Sequence, residues 1–238
     1  IRISHAHSTS MPPSRVKGLI YWLSIKALPR YANQYFTCSQ VSADYLYRNI
    51  DKSKIQYIHN AIDTEKFNYQ EDIRNQIREK HDLKDNLVLG HVGNFQYPKN
   101  HMFLLEIMKE YHQINPNAKL LLCGDGELRE SIEKRIKEYH LEENVILLGV
   151  CDNVSEYMQA FDILLHPSFY EGFPVVTVEA QCSGLPLLLS DTLTKEVALT
   201  DHVEFLAIDG DQAVKQWTDA IERIRCHAFE RKNQSEII

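Results

Sequence analysis

The chain has 238 residues, 44% of them apolar and 25% charged, with a formal net charge of −7 at pH 7. That size allows one large or two modest domains of an ordinary globular protein, and no apolar run approaches the roughly 18 residues that a membrane-spanning helix needs. Five dispersed cysteines (Cys38, Cys123, Cys151, Cys182, Cys226), with no CxxC pair, argue for reduced thiols in a cytoplasmic protein and against a disulfide framework or zinc site. In that setting the sequons at Asn153 and Asn233 carry no meaning. The chain starts at Ile1 rather than Met and shows no signal-peptide pattern. Its start therefore reads as a processing boundary, with native sequence expected to be missing before it.

Residues 1–63 read as strands at Arg2–His5, Gln34–Cys38 and Ile55–His59, with helices near Ser14–Leu28 and Val41–Asn49. This is too little to close a doubly wound sheet. It reads as the last third of a second α/β domain, with Asn60 to Phe67 as the crossing linker. Eight Lys/Arg and two acids give residues 1–60 a charge of +6, whereas 18 basic and 31 acidic residues give the remainder −13. A basic segment suits a surface facing anions, such as lipid head groups or a phosphorylated acceptor; a solvated basic face is the simpler reading. Within it, Ser14 to Lys26 mixes basic with bulky apolar residues. Packing of this helix on its own sheet is the favoured reading, and contact with an anionic membrane is compatible with it if Trp22 and the lysines face outward.

From residue 64 onward, apolar runs at Leu87–Val92, Lys119–Cys123, Val145–Leu148, Ile163–His166, Pro186–Ser190 and Glu204–Ile208 read as strands. Helical stretches at His101–Ile114, Glu127–Tyr139, Val154–Ala160, Pro174–Ser183 and Gln212–Arg225 alternate with them. Continuous apolar strands separated by amphipathic helices indicate a parallel sheet covered on both faces. The fold class is therefore α/β: a doubly wound, Rossmann-like domain over 64–238, with a partial second α/β domain over 1–63. Its ligand is expected at the carboxyl ends of the strands.

The densest cluster of chemical signals is Glu171-Gly172-Phe173-Pro174-Val175-Val176-Thr177-Val178-Glu179. Pro174 reads as the first helical residue, where its fixed φ helps and its missing N–H costs nothing. A helix start offers unpaired amides and a positive dipole end, which suit a phosphate or diphosphate. Glu171 and Glu179 flank that cradle and could hold sugar hydroxyls. Upstream, Gly93 is expected to permit an unusual φ, and Lys99 opens the next helix, where a compact cation could neutralise a diphosphate. Gly124-Asp125-Gly126 reads as a turn. Gly149 ends a strand, and Val150–Asp152 after it could read a base edge. Gly184, with Pro186 two residues on, is a helix stop.

Together, Gly93…Lys99, Gly124-Asp125-Gly126, Leu148-Gly149, His166-Pro167-Ser168 and Glu171-x7-Glu179, then Ala180 to Pro186, resemble glycosyltransferase family 4 of the GT-B fold, the group 1 glycosyltransferases of capsule and exopolysaccharide synthesis. Phe36-Thr37-Cys38-Ser39 and Ile58 to Phe67 resemble the end of that family's acceptor domain and its linker. His7-Ser8-Thr9 resembles its histidine motif. The resemblance implies catalytic roles for Glu171, near the reacting centre, and His7. It also implies a donor-binding set of Asn94, Lys99, Gly172, Phe173, Val175 and Glu179. Glu179 would hold the ribose hydroxyls, Lys99 the leaving diphosphate, and the amides near Phe173 and Val175 the phosphate and sugar. Asn94 departs from the pattern, which carries arginine there, and brings no charge.

The implied reaction is retaining transfer of a hexose or N-acetylhexosamine from a nucleotide sugar, a UDP-sugar by expectation, to a polysaccharide or lipid-linked saccharide. No metal or redox cofactor is implied, and nucleic acid is not an expected partner. Expected localisation is cytoplasmic, peripheral to the inner face of the plasma membrane. The alternatives are a nucleotide-sugar-binding fragment without independent activity, or an epimerase of similar architecture. Asp209-Gly210-Asp211 matches a weak Asp-x-Asp metal pattern but reads as a turn with Asp211 as N-cap. His5 and His7 alternate as on a strand, with only one expected to face the cleft, and His166 is expected to pack at its strand end.

Overall fold

The computed structural model describes residues 1–7, 15–227, 231–232 and 234. Ser8 and Thr9 of the histidine motif, Ser14 of the basic helix and Asn233 of the second sequon lie outside the described residues. The chain forms two compact units, Ile1–Ile62 with Tyr170–Val175 and Thr194–Val197, and Asp63–Phe169 with Val176–Leu193 and Ala198–Ile238.

In the smaller unit, β1 (Ile3–Ala6), β2 (Gln34–Thr37) and β3 (Ile55–Tyr57) pair in parallel in that order. Helices α1 (Arg15–Tyr31) and α2 (Gln40–Leu46) connect them. The core is small: Ala6, Ala32, Tyr35, Ala43 and Tyr47 are buried, with Leu28, Leu46, Ile50 and Ile55 packed against them. Helix α1 contributes little to it. Its Ile25 is buried, but Val16, Leu19, Ile20, Trp22 and Leu23 are exposed. The expected packing of this helix on its own sheet therefore holds for one face only.

The larger unit carries six parallel strands: β4 (Val88–Val92), β5 (Lys119–Cys123), β6 (Val145–Gly149), β7 (Ile163–His166), β8 (Leu187–Ser190) and β9 (Val203–Leu206). They lie in the order β6-β5-β4-β7-β8-β9. The chain starts at the centre, runs to one edge, then returns to the centre and runs to the other. That is the doubly wound Rossmann order, with its switch point between β4 and β7. Leu120–Leu122, Ile163–Leu165 and Leu187–Leu189 are fully buried, as strands covered on both faces must be. Helices α5 (His101–Ile114), α6 (Arg129–Glu138), α7 (Val154–Ala160), α8 (Val175–Cys182) and α9 (Ala213–Cys226) follow these strands.

Two helices were not anticipated: α3 (Thr64–Phe67), within the expected linker, and α4 (Glu71–Lys80). Asp63 caps α3 through the Lys66 amide. Helix α4 has few apolar residues, so its periodic signal is thin. It docks by charge instead. Arg74 donates to the carbonyls of Gln159, Ala160 and Phe161, and Arg78 to Ala160, while both pair with the Asp162 carboxylate. Asp162 also accepts the Val88 amide at 2.7 Å, tying this cluster to the start of β4. Among the described residues, no helix is long and apolar enough to cross a membrane.

Candidate functional site

Lys99 ends a short 3-10 turn, Tyr97–Lys99, that leaves β4. Asn100 follows in the left-handed region, φ 54°, before α5 begins. Asparagine tolerates that conformation better than most residues. The turn is fastened to the segment leaving β7. The Phe169 amide donates to the Pro98 carbonyl at 2.9 Å, and Asn100 Nδ2 donates to Pro167 at 3.1 Å. The rings of Tyr97 and Phe169 stack at 4.8 Å. Lys99 is thus held where the two strands at the switch point end, the place where doubly wound sheets bind ligands. Asn94 lies exposed in the same loop.

Gly93 corrects one expectation. It is not among the residues with positive φ. It is small because space is short: a Cβ there would sit 3.1 Å from Lys99 Cδ and Cε and 3.2 Å from His91 Nε2. The Gly-Asp-Gly turn beside it is structural. A Cβ on Gly124, whose φ is +147°, would lie 2.1 Å from the Gly93 carbonyl oxygen. The Phe95 amide donates to Asp125 O at 2.9 Å. The turn therefore clamps the loop that carries Asn94.

Helix α8 starts at Val175, so Pro174 precedes the first helical residue rather than being it. Its end is as expected. Gly184 takes φ +67°, its amide donates to Gln181 O, and the Leu185 amide donates to Ala180 O. This paired bonding is the Schellman stop. Glu179 is half-buried on α8. Desolvation raises its pKa above the ordinary glutamate range, and the Lys66 charge offsets this in part.

Glu171, Gly172, Phe173 and Val175 group with the smaller unit, as does His7. There the structure brings His7 and Gly172 together: a Cβ on Gly172 would lie 2.0 Å from the His7 carbonyl oxygen and 2.9 Å from Ser42 Oγ. Ser39 supports the contact. Its hydroxyl donates to Gly172 O at 2.9 Å and accepts the Ser42 amide at 3.2 Å, so it also caps α2. Ser39 sat inside a sequence match without a role, and the hydroxyl pattern Ser39-x2-Ser42 was the available signal. His5 and His7 correct a second expectation: their rings are 4.0 Å apart on one side of the strand. Residues two apart on an extended chain share a face, so the two histidines do not divide between faces.

Other readings resolve plainly. Asp211 does not cap α9; Gln212 occupies the cap position, without a side-chain cap bond, and Gly210 turns the loop at φ 86°. His166 is buried at the end of β7, its Nε2 3.1 Å from Ser168 Oγ. Among the described residues, no group of three or more His, Cys, Asp or Glu could hold a metal ion.

The model of the family described as "Glycosyl transferases group 1" matches residues 73–235. The chain belongs to that family. A Bacillus subtilis protein named as a glycosyltransferase, EpsF, is 32% identical over 232 residues, covering 94% of this chain and 59% of its own length. The Escherichia coli UDP-Gal:alpha-D-GlcNAc-diphosphoundecaprenol alpha-1,3-galactosyltransferase is 30% identical over 186 residues, covering 74% and 47%. The Erwinia amylovora amylovoran biosynthesis glycosyltransferase AmsD is 39% identical over 111 residues, covering 47% and 31%. The chain thus spans between about a third and three fifths of these relatives' length. Among solved structures, Anabaena HepE in complex with UDP superposes with a TM-score of 0.79 at 19% identity, covering 93% of this chain and 62% of that one. Sucrose-phosphate synthase from Thermosynechococcus elongatus gives 0.74 at 22% identity, covering 90% and 53%. At these identities the likeness establishes the GT-B type of fold.

A raised Glu179 pKa means that the folded chain holds the proton more tightly than the unfolded chain. Stability from this group is present below the ordinary value of 4.5 and lost as pH rises through the folded value. Urea unfolding should therefore show Glu179→Gln with a higher midpoint than the parent at pH 7, the gap closing below pH 4.5. A variant less stable than the parent at pH 7 would contradict this assignment.

Proposed function

We propose that the larger unit binds a nucleotide-sugar donor, a UDP-sugar, for a retaining glycosyltransferase acting on a lipid-linked saccharide or growing polysaccharide. The observation that carries this reading is Lys99 fastened at the β4–β7 switch point, with desolvated Glu179 on the helix that follows β7. The relatives' names support the substrate classes: the E. coli enzyme uses a UDP-sugar and a diphosphoundecaprenol-linked acceptor.

In this reading Glu179 accepts from the ribose hydroxyls. Lys99 lies against the diphosphate, with Asn94 adding a neutral hydrogen bond. The C1–O bond to the diphosphate breaks and a C1–O bond to the acceptor hydroxyl forms on the same face. The acceptor proton passes to the departing diphosphate oxygen. Negative charge builds on the diphosphate, and a fixed cation with helix-terminal amides stabilises it more in the transition state than in the ground state. No metal or redox cofactor is assigned a step.

A partly buried carboxylate that is held unstable until it meets hydroxyls is a common mark of a binding group. Burial disfavours its charge, and ribose hydroxyls would restore the hydrogen bonds lost on leaving water.

Helix α1 adds a membrane contact to this reading. Val16, Leu19, Ile20 and Leu23 follow i, i+3, i+4, i+7 spacing and are all exposed, so they form one apolar stripe. Lys26 lies 3.7 Å over the exposed Trp22 ring, and Lys17 and Arg30 are also exposed. An apolar stripe flanked by cations suits an anionic bilayer surface.

Lys99→Ala and Glu179→Ala should each weaken UDP-sugar binding by about tenfold or more in calorimetry; unchanged affinity in both would remove the donor-site assignment. In vesicle sedimentation, the chain should pellet with phosphatidylglycerol and not with phosphatidylcholine. Leu19→Glu combined with Leu23→Glu should abolish pelleting, and retention of binding by that variant would remove α1 from the contact.

A further inference from the structure

Three buried histidines lie together in the larger unit beneath the Lys99 turn. His91 is on β4, His101 opens α5 and His166 ends β7. The His91 ring meets His101 edge-on at 4.8 Å and stacks on His166 at 5.5 Å. Sequence reading gave His91 and His101 no role.

His91 Nδ1 lies 2.9 Å from the Leu165 carbonyl oxygen. A carbonyl only accepts, so Nδ1 carries the proton and Nε2 presents a lone pair. That lone pair is buried and has no hydrogen-bond partner among the described residues. A buried acceptor left unmatched is costly, and such groups in native proteins call for an explanation. Its surroundings supply one. The same point in space, a Cβ built on Gly93, lies 3.2 Å from His91 Nε2 and 3.1 Å from both Cδ and Cε of Lys99. A side chain at 93 would crowd that gap. The last torsions of a lysine stem can carry its ammonium across such a gap.

The charged and titratable groups facing His91 are Lys99, His101 and His166. Burial first, then the neighbouring His101 and His166, holds His91 well below the ordinary histidine range. Burial and the Lys99 charge push His101 down to about 4. Both imidazoles are therefore neutral at pH 7, and His91 can accept but does not repel a cation there.

We propose that His91 is a positioning residue for Lys99: its Nε2 lone pair, aimed by the Leu165 carbonyl, accepts from the Lys99 ammonium and holds it toward the donor diphosphate. This rests on the donor-site reading given above. Lysine is a point charge on a flexible stem, and an acceptor on one side removes freedom that the phosphate would otherwise have to remove on binding.

The test is a double-mutant cycle read by calorimetry with UDP, with uridine as the probe lacking phosphate. His91→Phe should weaken UDP about tenfold and leave uridine unchanged. Adding His91→Phe to Lys99→Met should cost nothing beyond Lys99→Met alone. His91→Gln, which keeps an acceptor, should recover most of the UDP affinity. Additive losses in the cycle, or equal losses for UDP and uridine, would overturn the proposal and leave the donor site standing. If the parent chain binds UDP no better than uridine, the donor site fails and the proposal with it. A second measurement does not depend on any variant at 91. Imidazole nitrogen NMR should show His91 as the Nδ1–H tautomer, with its Nε2 resonance moving toward an unbonded lone pair in Lys99→Met; an unmoved resonance overturns the proposal.

Discussion

A parallel sheet opens a crevice at one place, where two adjacent strands send their connections to opposite faces. In the larger unit that place is the boundary of β4 and β7. Everything assigned to the donor depends on how the two strand ends are joined there. The Tyr97–Asn100 turn and the Pro167–Phe169 segment are bound by two hydrogen bonds and a ring stack. A cation on a free loop would cost entropy each time it met a phosphate. Fixing the turn lowers that cost before any ligand arrives.

Close approach recurs within each unit, and glycine is the means. Gly93 leaves room for a lysine stem and an imidazole, and Gly124 for the carbonyl of Gly93. In the smaller unit Gly172 leaves room for the carbonyl of His7. At Gly124 and Gly172 an added methyl would have to displace backbone, and at Gly93 it would crowd the lysine stem and the imidazole. Glu179 shows the complementary strain. Its burial opposes its charge and raises its pKa, against the partial offset of the Lys66 charge. Binding groups commonly carry this kind of cost.

Much of this was legible in the sequence, and the reasons are specific. Lys119–Cys123, Ile163–His166, His101–Ile114 and Val154–Ala160 have the predicted bounds because burial on both faces, or a strong 3.6-residue pattern, wrote itself into the residue types. Helix α4 was invisible because arginines rather than leucines dock it. The unusual φ expected at Gly93 is absent, and the close contacts at Gly93 and Gly172 were not legible because sequence shows a glycine but not the atom that crowds it. The histidines at 91 and 101 could not be singled out, since a buried imidazole and an exposed one read alike. Helix α1 showed its mixed basic and apolar character, while the exposure of its apolar stripe required the structure. The motif from Glu171 to Pro186 pointed to the family that the match over residues 73–235 establishes.

The central claim is that the switch point holds a nucleoside diphosphate through Lys99 and Glu179. A crystal structure of the chain soaked with UDP tests it most directly. The ribose hydroxyls should lie within hydrogen-bond distance of the Glu179 carboxylate, with the diphosphate against Lys99 Nζ at the ends of β4 and β7. UDP bound at any other face of the larger unit, with both side chains untouched, would contradict it.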